Sequence, residues 1–333
     1  MPALPPAFTI RSTTAQPGAT ASGALDVPAR AGDPGSFVPF TIIHGAIDGP
    51  VLALVAGVHG FEYAPILALQ RLRRAIDPAR LRGTVVMVHA ANVPSFLGRT
   101  IYYSPVDGQN LNRVFPGRPD GTLSERIADA ITREVVARAT HLVDLHGGDG
   151  NESLRAYAYW ITTGDSAVAE ASRALALAFG LDRIVVDSER PTDAAASLYL
   201  SNTAITRGTP AITTETGGLG QTDASAIALV ERGVSGVLRH LGMRDEGPPP
   251  LAEPIWITRS VVLRAGATGL FFPGVECGDT VEASASIGHI TDFHGHVLER
   301  ITAPFGGEVL YVVRTPPINK GEPLGMIGET RRA

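Results

Sequence analysis

The sequence of 333 residues contains one cysteine, Cys277, which excludes an internal disulfide framework. It has no basic excess: 28 Lys and Arg stand against 33 Asp and Glu, a net charge of −5 that argues against nucleic-acid binding. No window offers the roughly 18 uninterrupted apolar residues that a membrane helix needs. The first 36 residues lack the apolar stretch of a signal peptide. These absences predict a cytoplasmic protein with neither nucleic-acid nor membrane partners. What the chain does have is hydrophobic residues, 44% against 18% charged, enough for a full core and, at this length, for two domains.

From residue 37 to about 242, apolar runs alternate with helical patterns. "VLALVAGV" (51–58) is continuously apolar, as a parallel strand covered on both faces should be. "TVVMVHAA" (84–91), "HLVDLH" (141–146) and "PAITTET" (210–216) read as further strands. "PILALQRLRRAI" (65–76) repeats its apolar positions at three and four, with Pro65 in the first turn. "LSERIADAITREVVARA" (123–139), "SAVAEASRALALAFG" (166–180, closing on Gly180) and "DASAIALVERGVSGVLRHLG" (223–242) read as helices. This alternation predicts an α/β domain over 37–245, with a mostly parallel or mixed sheet flanked by helices. Residues 1–36, rich in Pro, Ala, Gly and Thr, are expected to be flexible or extended.

The proline-rich "MRDEGPPPLAEP" (243–254) ends the alternation. Beyond it a period of two and frequent glycines predict a small all-β barrel or sandwich over 255–330. There, "PGVECGDTV" (273–281) and "PPINKGEPL" (316–324) both fit P-x-[VI]-x-x-G-[DE]-x-[VL]. Two like hairpin turns are expected, with Gly278 and Gly321 supplying positive φ.

Polar stretches interrupt the apolar scaffold at strand ends: "GVHGFE" after the first strand, "DLHGG" (144–148) and "TTETGG" (213–218). Open α/β sheets bind ligands beyond the carboxyl ends of their strands, where His59, Glu62, His146 and Glu215 would emerge together. Two histidines and a carboxylate form a common catalytic zinc set, three ligands with a position left for water. His-x-x-Glu is not a helix-borne spacing, so His59 and Glu62 are placed on a loop, where Gly57 and Gly60 let the backbone bend close to the metal. Glu215 suits a general base, and Asp144 a partner holding a ligating histidine. The long loop "GRTIYYSPVDGQNLNRVFPG" (98–117) adds Arg99, Asn112 and Arg113, groups suited to an anionic, carboxylate-bearing substrate.

In this order "GVHGFE", "NLNRVFPG", "DLHGG" and "TTETGG" resemble the succinylglutamate desuccinylase/aspartoacylase family, a branch of the zinc carboxypeptidase (M14-like) superfamily. The resemblance runs from about residue 37 to the C terminus, because members also carry a small β-rich domain after the catalytic one. It implies one zinc ion per chain held by His59, Glu62 and His146, with Glu215 as general acid and base. It further implies that Asn112 and Arg113 hold a substrate carboxylate and that Arg99 polarises the scissile carbonyl. "PVDGQNLNRVFPG" looks closer to a subgroup that includes N-acetyl-diaminobutyrate deacetylase-like proteins. The implied activity is hydrolysis of an amide in a small N-acylated amino acid. A metallocarboxypeptidase cutting peptides is the competing reading, and a non-catalytic binding protein on the same scaffold is a third; a homo-oligomer is left open.

Other residues are read more plainly. His89, Asn92, Asp149 and Glu152 are taken as turn or supporting groups. His289, His294 and His296 lie close together without a carboxylate cluster, so they are read as solvated or as an interface. "APFGGEVLYVV" (303–313) and "KGEPLGMIGE" (320–329) resemble biotinyl or lipoyl carrier domains, but no lysine occupies a Met-Lys-Met-like tip. A shared fold is expected there without the carrier function.

Overall fold

A computed structural model describes residues 4–332. Four parallel strands form the middle of its main sheet: Arg82–Val88, Ile47–Ala56, His141–His146 and Ala211–Glu215, side by side in that order. Their apolar runs follow from being covered on both faces. Leu52, Leu54 and Ala56 enter one core, against the helices Tyr63–Ala75, Ser166–Phe179 and Ala224–His240. Ala53 and Val55, pointing the other way, enter a second core under the helices Leu123–Glu134 and Leu200–Ile205. Each buried Leu or Val among them stabilises the fold by roughly 1.5–3 kcal/mol. The strands therefore stay apolar until they leave the core.

The helix that begins at Leu123 is fixed by a capping box, in which Thr122 and Glu125 exchange side-chain and backbone hydrogen bonds. It is shorter than its periodicity predicts. It stops at Glu134, where the β-branched pair Val135 and Val136 begins, and a separate 3₁₀ turn, Val136–Arg138, takes over.

On one side of the centre, Ser36–His44 joins antiparallel to Arg82–Val88. Ala19–Val27 then pairs with Ser36–His44 from Ala19 opposite His44 to Val27 opposite Ser36, so this part of the N-terminal segment is extended. On the other side lie two strands that periodicity did not reveal, Tyr157–Ile161 and Arg183–Asp187, each of five residues. Tyr157–Ile161 runs antiparallel to Ala211–Glu215, so the sheet is mixed on both sides of its parallel centre.

The sheet does not end at the proline-rich segment. Ile255–Arg264 pairs in parallel with Arg183–Asp187 and then antiparallel with Pro323–Arg332, which carries the sheet into Gly307–Val313 and Thr280–Val281. A four-stranded antiparallel sheet packs nearby, in the order Val297–Thr302, Ser286–Thr291, Gly269–Pro273, Pro317–Ile318. Phe271, Ile290, Val309, Leu324 and Ile327 contribute to the core of this C-terminal region. The repeated motif builds the same turn twice. Gly278 and Gly321 both have φ of +90°. The following carboxylate then reaches back, Asp279 to the N–H of Glu276 and Glu322 to the N–H of Asn319, each at 2.8 Å. Among the described residues, no helix is long and apolar enough to cross a membrane.

Candidate metal centre

His59 and Glu62 lie in the loop joining Ile47–Ala56 to Tyr63–Ala75. Gly57 there takes φ of +71°, and a Cβ on Gly60 would fall 2.0 Å from the backbone nitrogen of Phe96. Only glycine lets the loop approach its neighbour so closely. His146 ends its own strand next door, two residues after Asp144 on the same face.

The Glu62 carboxylate stands between the two imidazoles. Its Oε1 accepts from His59 Nδ1 at 2.7 Å and its Oε2 lies 2.9 Å from His146 Nδ1. One donor atom from each of His59, Glu62 and His146 lies within 4.8 Å of the others. The remaining ring nitrogens point away: His59 Nε2 meets Asn110 Oδ1 at 3.1 Å, and His146 Nε2 lies 3.0 Å from Asp144 Oδ1. One ring nitrogen aimed inward and the other held from behind is what metal-ligating histidines require. Asp144 has no exposed surface, and apart from the close contact with His146 its oxygens have no partner among the described residues. A buried carboxylate left so poorly satisfied fits a site that receives positive charge.

The electrostatics agree. Burial alone would raise Glu62, but the charges of His146 and His59 outweigh it and bring its pKa down to about 2. Burial would lower His146, yet Asp144 and Glu62 hold it well above its ordinary value. An ionised carboxylate between two imidazoles that hold protons is a set ready to exchange those protons for a divalent cation.

Glu215 ends the neighbouring parallel strand in register with His146 and faces the same cavity, with no ion pair among the described residues. Burial pushes its pKa well up against the pull of His146, and the carboxylates of Glu62, Glu152 and Asp144 push the same way. The cavity measures about 320 Å³. His59, Glu62, Asn110, Arg113 and Glu215 line it from the central strands and the loops beyond them.

The three loop residues are placed differently from one another. Arg113 lines the cavity; its Nη1 donates to the carbonyl of Asn112 at 2.7 Å, and its guanidinium lies 4.6 Å from the centre of the Tyr199 ring. Asn112 is spent on the scaffold. Its Nδ2 meets His146 Nε2 at 3.3 Å and its Oδ1 accepts from Leu200 N at 3.0 Å, while Asn110, two residues earlier, reaches the cavity. Arg99 caps the short helix Val93–Gly98 with φ of +51°; it is exposed and outside the cavity lining.

Several lining residues escaped the sequence reasoning. Tyr157 and Tyr159 come from the antiparallel strand, and Tyr157 sits directly opposite Glu215; the alternating "YAYW" was the one available signal. Val262, Arg264, Tyr311 and Pro323 come from the C-terminal region, with no local cue at all. Tyr102, from the long loop, donates through its hydroxyl to Glu152 at 2.7 Å and through its backbone N–H to Asp149 at 2.9 Å. That network pins the loop to the segment after His146. Burial raises Asp149 to about 6 and Glu152 to about 7.

Residues 48–241 match the family described as the succinylglutamate desuccinylase/aspartoacylase catalytic domain. Over 302 residues the chain is 32% identical to the N-alpha-acetyl-L-2,4-diaminobutyric acid deacetylase of Halomonas elongata, spanning 88% of this chain and 86% of that protein. The fold matches a crystal structure of a succinylglutamate desuccinylase/aspartoacylase from Rhodobacter sphaeroides with a TM-score of 0.83, 25% identity and 99% of both chains. It matches the product-bound ectoine utilization protein EutE (DoeB) of Ruegeria pomeroyi with a TM-score of 0.81 and 28% identity, over 93% of this chain and 95% of that one.

Proposed function

This chain belongs to the succinylglutamate desuccinylase/aspartoacylase family, and we propose that it removes the acyl group from an N-acylated amino acid with one zinc ion held by His59, Glu62 and His146. One observation carries the proposal: an imidazole and a carboxylate from one loop and an imidazole from the end of the neighbouring strand converge within 4.8 Å, beside a carboxylate, Glu215, that has no ion-pair partner among the described residues. The donor set suits zinc, with nitrogen and oxygen ligands and a position left for solvent. When bound, zinc supplies Lewis-acid polarisation of a carbonyl and acidifies water toward neutrality.

The residues of the chain do the rest. Glu215 takes the proton of the attacking water and delivers it to the amide nitrogen as the C–N bond breaks. Burial holds its proton affinity up, which suits both halves of that task. Arg113 offers its fork to the substrate carboxylate. Asp144 and Asn110 keep the imidazoles oriented, and Asn112 braces His146 from behind. Arg99, exposed away from the cavity, is not placed to polarise the scissile carbonyl.

The name of the Halomonas relative refers to an acetyl group on a diamino acid, which makes acetyl the first acyl group to test. Purified, zinc-loaded protein should be offered acetyl, succinyl and formyl amino acids, with elemental analysis of its metal content. One zinc per chain and turnover of at least one N-acyl amino acid are expected. A metal-replete sample inert toward the whole panel would end this reading.

A further inference from the structure

Two of the three proposed zinc ligands sit on a turn that does little to hold itself. Within residues 59–62, the N–H of Glu62 reaches the carbonyl of His59 only at 3.5 Å, beyond the usual hydrogen-bond range. Glu62 also stands at the N-cap of the helix Tyr63–Ala75, yet its side chain gives that helix no capping bond. A turn so loosely closed takes its shape from its surroundings.

The surroundings meet it at two adjacent residues. Gly60 lies against the backbone of Phe96, as described above. Phe61, half-buried, lodges its ring in a notch between the segments that follow His146 and Glu215. Those segments are joined to each other. The N–H of Gly148 donates to the carbonyl of Gly217 at 2.8 Å, and that of Leu219 to the carbonyls of Asp149 at 3.1 Å and Glu152 at 2.9 Å. A glycine stands on each side of the notch. A Cβ on Gly150 would fall 2.4 Å from Cδ1 and Cε1 of the Phe61 ring, and one on Gly220 would fall 2.5 Å from Cε2, on the opposite edge. No Cβ-bearing residue fits at either place without moving the ring. The Tyr63 ring lies 5.2 Å from that of Phe61 and 5.7 Å from that of Phe96, spacings at which aromatic pairs attract. This row of rings links the notch to the helix Val93–Gly98, which carries Phe96.

We propose that Phe61 is a positioning residue for the metal centre: held between Gly150 and Gly220, its ring locks the 59–62 turn so that His59 and Glu62 face His146. One side chain thereby ties together the three strand-end segments that carry the ligands and Glu215. That the ligands hold zinc rests on the reading above; the grip on the turn does not.

The test uses the full chain and the variants Phe61→Ala, Phe61→Leu, Phe61→Tyr and Gly150→Ala. Zinc affinity is read by competition with a chelator, and the metal-free protein is melted separately. Phe61→Ala should weaken zinc binding roughly 10–100-fold, the usual cost of removing a group that orients a ligand. Phe61→Tyr, which keeps the ring, should bind as the wild type does. Gly150→Ala displaces the ring without altering it and should weaken zinc binding as well. In a Phe61→Leu background Gly150→Ala should add little, because residues in contact do not act additively. Phe61→Leu also stands in for Phe61→Ala if the alanine variant fails to fold. A folded variant of either kind that binds zinc as tightly as the wild type overturns the proposal, whatever its melting temperature. Losses from Phe61→Leu and Gly150→Ala that add in full overturn it too. Hydrogen exchange at the amides of residues 60–62 in the metal-free protein reads the same grip without zinc. It should quicken in Phe61→Ala and return to the wild-type rate in Phe61→Tyr; unchanged exchange overturns the proposal. If the wild type takes up no zinc while exchange follows this pattern, the metal reading falls and the hold of Phe61 on the turn stands.

Discussion

The metal cavity has two unlike walls. On one side, His59 and Glu62 come from the loop after one parallel strand and Glu215 from the end of another, with the buried His146 on the strand between. On the other, Val262, Arg264, Tyr311 and Pro323 come from the C-terminal strands and carry no metal-ligating set. The first wall holds the groups proposed above to exchange protons or coordinate a cation. The second shapes the space and adds a positive charge. The difference teaches that titratable groups and shape-giving side chains reach one cavity from separate regions of one continuous sheet.

Substitutions can break that division of labour. Glu215→Gln is expected to keep its metal and lose roughly 10²–10⁴-fold in kcat, the usual worth of a general acid–base group. Near wild-type turnover would remove Glu215 from its role. Because burial raises Glu215, the acidic limb of the kcat/KM profile should lie above the ordinary carboxylate range. Below that limb the base is protonated and idle, and activity rises with pH through it; residual activity in the glutamine variant should lack the limb. Asp144→Asn comes next, with metal affinity weakened roughly 10–100-fold, read by competition with a chelator. An unchanged affinity would mean that the close contact with His146 does not support the ligand.

The opposite wall should respond more mildly. Arg264→Gln is expected to raise KM several-fold with little change in kcat, as loss of uniform binding does. A collapse of kcat in that variant would show that the C-terminal wall takes part in the chemistry. Smallest of all, Gly321→Ala in the repeated turn should destabilise the fold by about 1 kcal/mol, because φ of +90° strains any Cβ-bearing residue. Thermal unfolding would measure it, and steady-state kinetics should be untouched.

The legible part of this molecule was the part with local signals. His59, Glu62, His146 and Glu215 each follow an apolar run long enough to be a buried strand, so a change from apolar to polar marked the place where the chain leaves the core. Asn112 and Asn110 show where that logic stops. Both lie in "NLNR", but the side chains of residues two apart diverge in the irregular 3₁₀ turn, where Asn112 has φ of −82° and ψ of 26°. Which amide faces the cavity is set by Leu200 and His146, far away in the chain. The strand Tyr157–Ile161 is too short for its period to stand out, and nothing local announces that it runs antiparallel beside Glu215.

Residue order by itself determined the alternation of strands and helices, the positions of four chemistry-bearing side chains at strand ends, and the twin turns at Gly278 and Gly321. These depend on periodicity and backbone preference, which act over a few residues. Tertiary structure alone decided that Ile255–Arg264 would extend the main sheet, that Arg264 rather than Arg99 would line the cavity, and that the ring of Phe61 would lodge between Gly150 and Gly220. Those outcomes depend on strand pairing across long stretches of chain, and its free energy is collective, distributed over many contacts that no short segment contains.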